Sequence, residues 1–581
     1  MEAYMKRYLE WLESDKVDEK FKEELRALEG NLEEIEFRFG SYMEFGTGGL
    51  RAKMGAGCGM MNIYTVAQAT EGVARAIDAI GEEAKARGVM LGYDSRNNSN
   101  IFARRAAEVL TAHGIKVYLF DELRPTPMLS AGVLHFGCIA GINITASHNP
   151  AAYNGYKLYW EDGAQPTKQI ADAVSSLIYA SDIFEGVPAP DKADESLITM
   201  VGRDFDEIFM AKVIGEQVYP DVIGKAADSL EVVYTPLCGA GYRIVPEVLH
   251  RIGVKNLTTV DVQMTPNGDF PGLPKPNPEY PAAFTEGIKV AEKVNSNLII
   301  ATDPDCDRVG VMARDKNGEF KCITGNQMGS LLLDYIFTAL EEQGKMPDDA
   351  FAIKTIVTSE MPTRICEVHG VELANVLTGF KFIAEAVKNH EATGRGTFLL
   401  GYEESYGYMK GAYSRDKDGV VASMLICEMA AFYSLRGMTL LDAIDSLYEK
   451  YGFYMENSAE IYMEGLDGKE QIAALMEKLR ANEPEFIGGS RVVNIRDYNA
   501  ETSKNTLTGE ITGTGLPKSN VIYFKAENGC VVVARPSGTE PKIKFYILAN
   551  GEDEASAIAN TKACTESLEN MLGVPTESLK K

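Results

Sequence analysis

An apolar run, Leu298-Ile299-Ile300-Ala301, is interrupted by Asp303-Pro304-Asp305-Cys306-Asp307-Arg308 and resumes at once as Val309-Gly310-Val311. Burying both runs as strands delivers three carboxylates to the loop between them, so the segment calls for a sheet whose strand ends carry charge. Other short β-rich runs occur at Val117 to Phe120, after the Ala/Val-rich segment near Ala106, and at Phe398 to Leu400. The longer stretch Met424 to Tyr433 reads as a buried helix. Strand-like runs alternating with helical stretches predict α/β organisation, with chemistry on loops at strand ends. No fixed-period repeat is present, which argues against a solenoid. At 581 residues the chain exceeds one hydrophobic core, and roughly three to five domains are expected. Boundaries are expected near Ala189 to Asp206, Arg314 to Gly325 and Glu456 to Glu470.

Carboxylates at alternate positions of the 303–307 loop can converge on one side and offer hard oxygen ligands to a divalent cation, with magnesium the expected ion. A calcium loop starting at Asp303 needs glycine at its sixth position and glutamate at its twelfth, where this chain has Arg308 and Arg314. A nucleophilic aspartate of an Asp-x-Asp pair is the other reading. The third carboxylate, Asp307, favours three ligands instead. A solvated acidic turn is the bland alternative; such turns seldom interrupt two apolar strands with one non-acidic residue between successive carboxylates.

Cys138 to Ile144 is a further apolar run, followed by Thr145-Ala146-Ser147-His148-Asn149-Pro150 and Asn154-Gly155-Tyr156-Lys157. The Asn-Pro and Asn-Gly pairs punctuate it, so Ser147 is expected on a tight loop leaving a buried strand, with an exposed hydroxyl ready to carry a phosphoryl group. Taken alone, the segment is as well explained by an ordinary turn. Gly401-Tyr402-Glu403-Glu404-Ser405-Tyr406-Gly407 also leaves an apolar run, and paired carboxylates with a serine suit the vicinal hydroxyls of a sugar. Thr378-Gly379-Phe380-Lys381 is weaker by itself, because a Thr-Gly turn ahead of a helix has a capping explanation. Arg535-Pro536-Ser537-Gly538-Thr539-Glu540-Pro541 lies between the strand-like runs Cys530 to Ala534 and Ile543 to Leu548. Arg535 can grip a phosphate through its fork while glycine permits close backbone approach. A plain hairpin turn is its alternative.

Together these segments, in this order, resemble the α-D-phosphohexomutase superfamily. Phe45-Gly46-Thr47-Gly48-Gly49-Leu50-Arg51 matches its N-terminal active-site segment, and the likeness runs from Phe45 to the loop after Arg535. The Glu-Glu-Ser form of the sugar loop is similar to the phosphoglucomutase branch. Thr235-Pro236-Leu237-Cys238-Gly239-Ala240-Gly241 and the chain length are also similar to relatives that include phosphopentomutase and glucose-1,6-bisphosphate synthase. Many of those have His where this chain has Cys238. The resemblance implies four domains around a central cleft, three similar mixed α/β-sheet domains and a smaller C-terminal α+β domain. The expected spans are 1–205, 206–324, 325–455 and 456–581.

The resemblance also implies Ser147 as phosphoserine, with His148, Lys157 and Arg51 in the catalytic group. Asp303, Asp305 and Asp307, with the phosphoserine oxygen of Ser147, would hold Mg2+. Substrate would meet Arg308, Thr378, Gly379, Lys381, Glu403 and Ser405, then Arg415, Lys417, Arg535, Ser537, Gly538, Thr539 and Lys544. The implied reaction interconverts glucose 1-phosphate and glucose 6-phosphate through glucose 1,6-bisphosphate, which acts as activator and intermediate. Phosphopentomutase, glucose-1,6-bisphosphate synthase and phosphomannomutase activities use the same loops and stay open, as does a non-catalytic sugar-phosphate sensor. Closure of the last domain over the cleft is expected, to keep water from the phosphoenzyme.

Lys+Arg 58 against Asp+Glu 84 gives a formal charge of -26, which opposes nucleic acid and anionic membrane surfaces. A small anionic sugar phosphate then needs a locally basic pocket, which the Arg535 loop would supply. Nine scattered cysteines without a CxxC pair favour reduced thiols and a cytoplasmic setting. The N-terminal stretch spaces Tyr4, Met5, Tyr8, Leu9 and Leu12 on one helical face and lacks the apolar block of a signal peptide. No run approaches the ~20 apolar residues of a membrane span. A monomer or weak homo-oligomer is expected.

Overall fold

Leu298–Thr302 and Val309–Arg314 form adjacent antiparallel strands, with Val309 opposite Thr302 and Ala313 opposite Leu298. Both are buried along almost their whole length, which is why neither shows polar alternation. The computed structural model describes residues 2–46, 48–463, 468–537 and 542–573. The chain divides into two units, Met1–Ile323 with Gly407–Gly437, and Thr324–Tyr406 with Met438–Lys581.

The first unit holds two sheets of one plan. In one, the parallel strands Ile198–Val201, Val117–Phe120, Val89–Tyr93 and Ala140–Ile144 are followed by Tyr153–Trp160 and Gly49–Lys53, each antiparallel to its neighbour. In the other, the parallel strands Asn256–Thr259, Glu231–Thr235 and Leu298–Thr302 are followed by antiparallel Val309–Arg314 and Phe320–Ile323. Both plans place the strand that precedes a functional loop next to the switch from parallel to antiparallel pairing. Ala140–Ile144 feeds Ser147, and Leu298–Thr302 feeds Asp303. Ligand sites of α/β sheets collect outside such carboxyl ends.

Asn154-Gly155 is not the turn expected of it. It lies inside the strand Tyr153–Trp160, where Gly155 pairs with Arg51. A Cβ there would stand 2.4 Å from Thr145 O and 2.9 Å from Leu50 O, so glycine is needed for close strand approach. Packing against these strands, the helix Ile63–Ile80 buries Val66, Ala69, Val73 and Ile77, a helical spacing. The Asn62 carboxamide accepts from Thr65 N at 3.0 Å, and Thr65 Oγ1 accepts from Asn62 N at 3.0 Å, closing a capping box. The expected N-terminal helix is Ala3–Glu13, with Tyr8 and Trp11 buried in a separate cluster containing Leu25, Ile35 and Phe39.

His113 ends the helix Ser99–Ala112 and ties it to the helix Ile63–Ile80, with Nε2 at 2.8 Å from Glu71 Oε2 and Nδ1 at 2.7 Å from Asp78 Oδ2. The Glu71 hydrogen bond, against partial burial and with help from Asp78, raises its pKa above the ordinary value. A raised folded pKa gives stability that is full below the unfolded value near 6.5 and is lost as pH rises through the folded one. His113→Gln is therefore expected to cost about 1–2 kcal/mol at pH 5.5 and progressively less toward alkaline pH. Urea unfolding at both pH values measures this.

The second unit carries the parallel strands Glu372–Val376, Ala350–Thr355 and Thr397–Glu403, followed in sequence by an antiparallel sheet. Phe453–Tyr462, Lys542–Gly551, Val531–Pro536, Ile522–Ala526 and Ser490–Asp497 are neighbours in that sheet. Its strands show period-two burial on both faces. Val532, Ala534, Phe545 and Ile547 belong to a core with residues of the helices Gly468–Ala481 and Glu554–Leu572. Val531, Val533, Tyr546 and Leu548 cluster instead with Ile356, Val357 and Leu377, which follow the parallel strands. Three α/β sheets followed by a β-rich C-terminal part agree with the architecture that the family resemblance implies.

All nine cysteines are free thiols. Among the described residues no helix is long and apolar enough to cross a membrane.

Candidate active site

The 303–307 segment converges by turning rather than by strand alternation. Cys306 adopts φ +55° and its N–H donates to Asp303 O at 2.8 Å, so the chain doubles back and gathers the carboxylates. Two backbone approaches hold this turn. A Cβ on Gly239 would lie 2.4 Å from Pro304 Cα, and one on Gly419 would lie 2.5 Å from Cys306 O. Ala240 N also donates to Pro304 O at 2.7 Å. Cys238 itself is buried in an apolar cluster, and burial pushes its thiol up to about 11.

One ligand oxygen from each of Asp303, Asp305 and Asp307 lies within 4.8 Å of the others, and all three side chains are buried. Asp303 Oδ1 accepts from Asp307 N at 3.1 Å and Arg308 N at 3.0 Å. Asp305 Oδ2 accepts from Thr126 Oγ1 at 2.7 Å and Lys157 Nζ at 2.6 Å, whereas its Oδ1 is buried without a hydrogen-bond partner among the described residues. Asp307 Oδ2 meets Lys157 Nζ at 3.0 Å and Lys417 Nζ at 3.2 Å; its Oδ1 is likewise without a hydrogen-bond partner, the Arg308 guanidinium standing 4.0 Å away. Buried oxygens of this kind are costly unless something positive meets them. The residues fit a hard divalent cation.

Electrostatics agree. Burial, reinforced by Asp305 and Asp307, drives the Asp303 carboxyl well above its ordinary value. Burial opposes ionisation of Asp307 too, but Lys157, Lys417 and Arg308 hold it well below. Lys157 is desolvated, yet Asp305 and Asp307 keep its ammonium above the usual lysine range.

Ser147 stands at the end of the neighbouring sheet's strand. The expectation of an exposed hydroxyl is corrected: Ser147 is 3% exposed, with φ +50°. Its Oγ donates to Asp303 Oδ2 at 2.8 Å and lies 3.1 Å from His148 Nδ1. Burial, then the charges of Arg308 and Arg51, hold His148 well below its ordinary pKa. Arg51 Nη1 donates to Asn149 Oδ1 at 3.0 Å, and Arg308 Nη1 to Glu279 Oε1 at 2.5 Å. Lys417 also pairs with Asp416 at 3.0 Å, and Asp416 accepts from Tyr159 OH at 2.6 Å. Arg415 N donates to Ser130 Oγ at 2.8 Å.

Sequence reasoning passed over Thr126, Asp416, Asp94 and Arg96. Asp94 Oδ2 accepts from Thr145 Oγ1 at 2.6 Å, and Arg96 donates to carbonyls around Ser147. The pattern Gly92-Tyr93-Asp94-Ser95-Arg96 at the end of the strand Val89–Tyr93 is the signal that could have found the last two.

The remaining expected residues lie in the second unit. Gly379, at φ +121°, precedes the helix Phe380–Thr393 that carries Lys381, and Thr378 Oγ1 is buried without a partner among the described residues. Glu403 is buried at the end of Thr397–Glu403. Ser405 follows it on the turn. Burial raises the carboxyl of adjacent Glu404; Lys544 and Arg535 act against the rise and Glu403 adds to it, so the 401–407 loop and the basic hairpin share one electrostatic environment. Arg535 and Lys544 face each other in the register of Val531–Pro536 and Lys542–Gly551, and Ser537 N donates to Lys542 O at 2.8 Å. Thr47, Gly538 and Thr539 fall outside the described residues.

Residues 42–182, 209–318 and 324–451 match, in order, domains I, II and III of Phosphoglucomutase/phosphomannomutase, each described as alpha/beta/alpha. The chain is 36% identical over 515 residues to a phosphoglucomutase of Staphylococcus haemolyticus, covering 88% of this chain and 91% of that one. A phosphoglucomutase of Staphylococcus aureus is 35% identical over 511 residues, with 88% and 90% covered. Among solved structures, pp63/parafusin from Paramecium, a phosphoglucomutase in its open form, has the same fold at TM-score 0.63 and 16% identity, covering 92% of this chain and 95% of that one. A phosphoglucomutase/phosphomannomutase family protein from Burkholderia thailandensis matches at TM-score 0.63 and 16% identity, covering 91% and 97%.

Proposed function

Because the chain belongs to the phosphoglucomutase/phosphomannomutase family, we propose that it interconverts glucose 1-phosphate and glucose 6-phosphate, with Ser147 carrying the phosphoryl group. The observation that supports this most directly is the Ser147 hydroxyl at 2.8 Å from Asp303 inside a buried set of three carboxylates. Asp303, Asp305 and Asp307 would hold Mg2+. Bound there, the ion would neutralise charge on the transferring oxygens, the main lever in phosphoryl transfer.

In the transfer, the bond from phosphorus to Ser147 Oγ breaks, a bond to the sugar hydroxyl oxygen forms, the hydroxyl proton leaves and Oγ ends protonated. His148 is held neutral, and its Nδ1 at 3.1 Å from Oγ is placed to serve the serine side of that exchange. Lys157, held cationic by its aspartates, acts as a fixed positive charge beside the reacting group. Burial of Ser147 limits loss of the phosphoryl group to water. Glucose 1,6-bisphosphate is the intermediate this scheme requires, and it must turn so that its second phosphate reaches Ser147. Glu403 and Ser405 would read the sugar hydroxyls in both orientations. Arg535 and Lys544 would hold the phosphate that is not reacting.

Intact-mass measurement after incubation with glucose 1,6-bisphosphate, followed by peptide mapping, tests the reading: one phosphate is expected per chain, on the peptide containing Ser147. kcat/KM values for glucose, mannose and ribose 1-phosphates complete the test. A preference for the pentose by tenfold or more would replace the glucose assignment with a phosphopentomutase.

A further inference from the structure

Ser147 is a non-glycine residue at φ +50°, a left-handed conformation that persists where surrounding structure imposes it. Arg96 supplies that surrounding. Its Nη2 donates to Ser147 O and Asn149 O, each at 2.5 Å, and its Nη1 donates to Pro150 O at 2.9 Å and Tyr153 O at 3.0 Å. The guanidinium thus meets carbonyls on both sides of the Asn149-Pro150 turn. Asp94 lies 3.3 Å from Arg96 Nε, and neither side chain is exposed. The same carboxylate accepts from Thr145 Oγ1, which in turn accepts from Ser147 N at 2.8 Å.

Beneath the guanidinium lies the Phe270 ring, with its centroid 5.1 Å from the Arg96 Cζ. Phe270 comes from the sheet region that carries the aspartate loop, not the serine loop. It shares a buried cluster with Leu237 and Cys238, and Asn267 N donates to Cys238 O at 3.1 Å. Two residues on, Ala240 N holds Pro304 O. Arg96 therefore grips the serine loop while resting on packing that also fixes the aspartate turn.

We infer that Arg96, seated on Phe270, is a positioning residue that sets Ser147 at its short distance from Asp303. The inference rests on the phosphoryl-transfer reading above. Arg96 touches no reacting atom; it acts through the loop backbone. Lysine cannot replace it, since one ammonium presents three donors from a point and lacks the planar fork. A displacement of about 1 Å in a reacting group costs on the order of 100-fold in rate.

The test is the single-turnover rate constant for phosphoryl transfer from phosphorylated enzyme to glucose 1-phosphate, in wild type, Arg96→Lys and Phe270→Leu. Thermal unfolding and KM are recorded alongside. This rate is counted per phosphorylated enzyme, so a purely structural loss, which only reduces the folded fraction, leaves it unchanged. Arg96→Lys is expected to slow transfer about 100-fold and Phe270→Leu about tenfold, with KM within about threefold of wild type. Transfer by folded Arg96→Lys within threefold of wild type would overturn the inference. If Arg96→Lys lacks a cooperative unfolding transition, Phe270→Leu decides by the same criterion. Wild-type enzyme that takes no phosphate onto Ser147 removes the functional reading itself; normal wild-type phosphorylation with unslowed variants removes only the positioning role.

Discussion

Ser147→Ala is expected to lower glucose 1-phosphate turnover by on the order of 10⁴-fold or more while leaving the protein folded. The size of the loss follows from the chemistry: without Oγ no covalent phosphoryl intermediate forms, and the remaining machinery can only bind. The fold is expected to survive because Ser147 Oγ makes few contacts, to Asp303 Oδ2 and His148 Nδ1. The backbone restraints from Thr145 and Arg96 use Ser147 N and O, which alanine keeps. Two measurements separate catalysis from stability, namely coupled turnover assay and thermal unfolding. A folded variant that retains more than about one per cent of wild-type kcat would require another phosphoryl carrier. Intact mass then identifies whether any phosphate is taken up at all.

The parts of the site legible in the sequence are those whose side chains contradict their surroundings. Asp303, Asp305 and Asp307 stand out because carboxylates between two buried strands cannot be ordinary surface. The strand at Ala140–Ile144 and the helix Gly419–Ser434 are legible for a different reason, as apolar runs of diagnostic length. What stays hidden is whatever acts through the backbone. Arg96 is bonded to carbonyls at 147, 149, 150 and 153, and carbonyls carry no residue signature. The fit of Gly239 against Pro304 and of Gly155 against Leu50 is equally silent until two distant segments are in place. Burial of Ser147 is hidden from the sequence because loop position alone says nothing about what a second sheet brings over it. Asn154-Gly155 read as a turn because dipeptide statistics do not register a cross-strand clash.

Asp305→Asn is expected to raise the Mg2+ concentration for half-maximal activity by at least about 100-fold and to leave substantial residual activity only at high Mg2+. Asp305 is the informative position because its two oxygens have different company. Oδ2 is held by Thr126 and Lys157, while Oδ1 is buried and unbonded among the described residues. An amide at this position keeps the shape but removes the charge, and if its NH2 group points into the carboxylate cluster it presents donors where a cation must sit. Lys157 would meanwhile lose one of the two carboxylates that hold it above its ordinary pKa, and its ammonium would lean on Asp307 alone. Metal titration followed both by activity and by calorimetric binding in the absence of substrate distinguishes lost affinity from lost chemistry. Activity restored to near the wild-type level at saturating Mg2+ assigns Asp305 chiefly to holding the ion. Unchanged half-saturation would remove it from the ligand set. Acidification is expected to weaken binding to the wild-type site in the same assay, because the proton competes for Asp303, the carboxyl that burial and its neighbours push up.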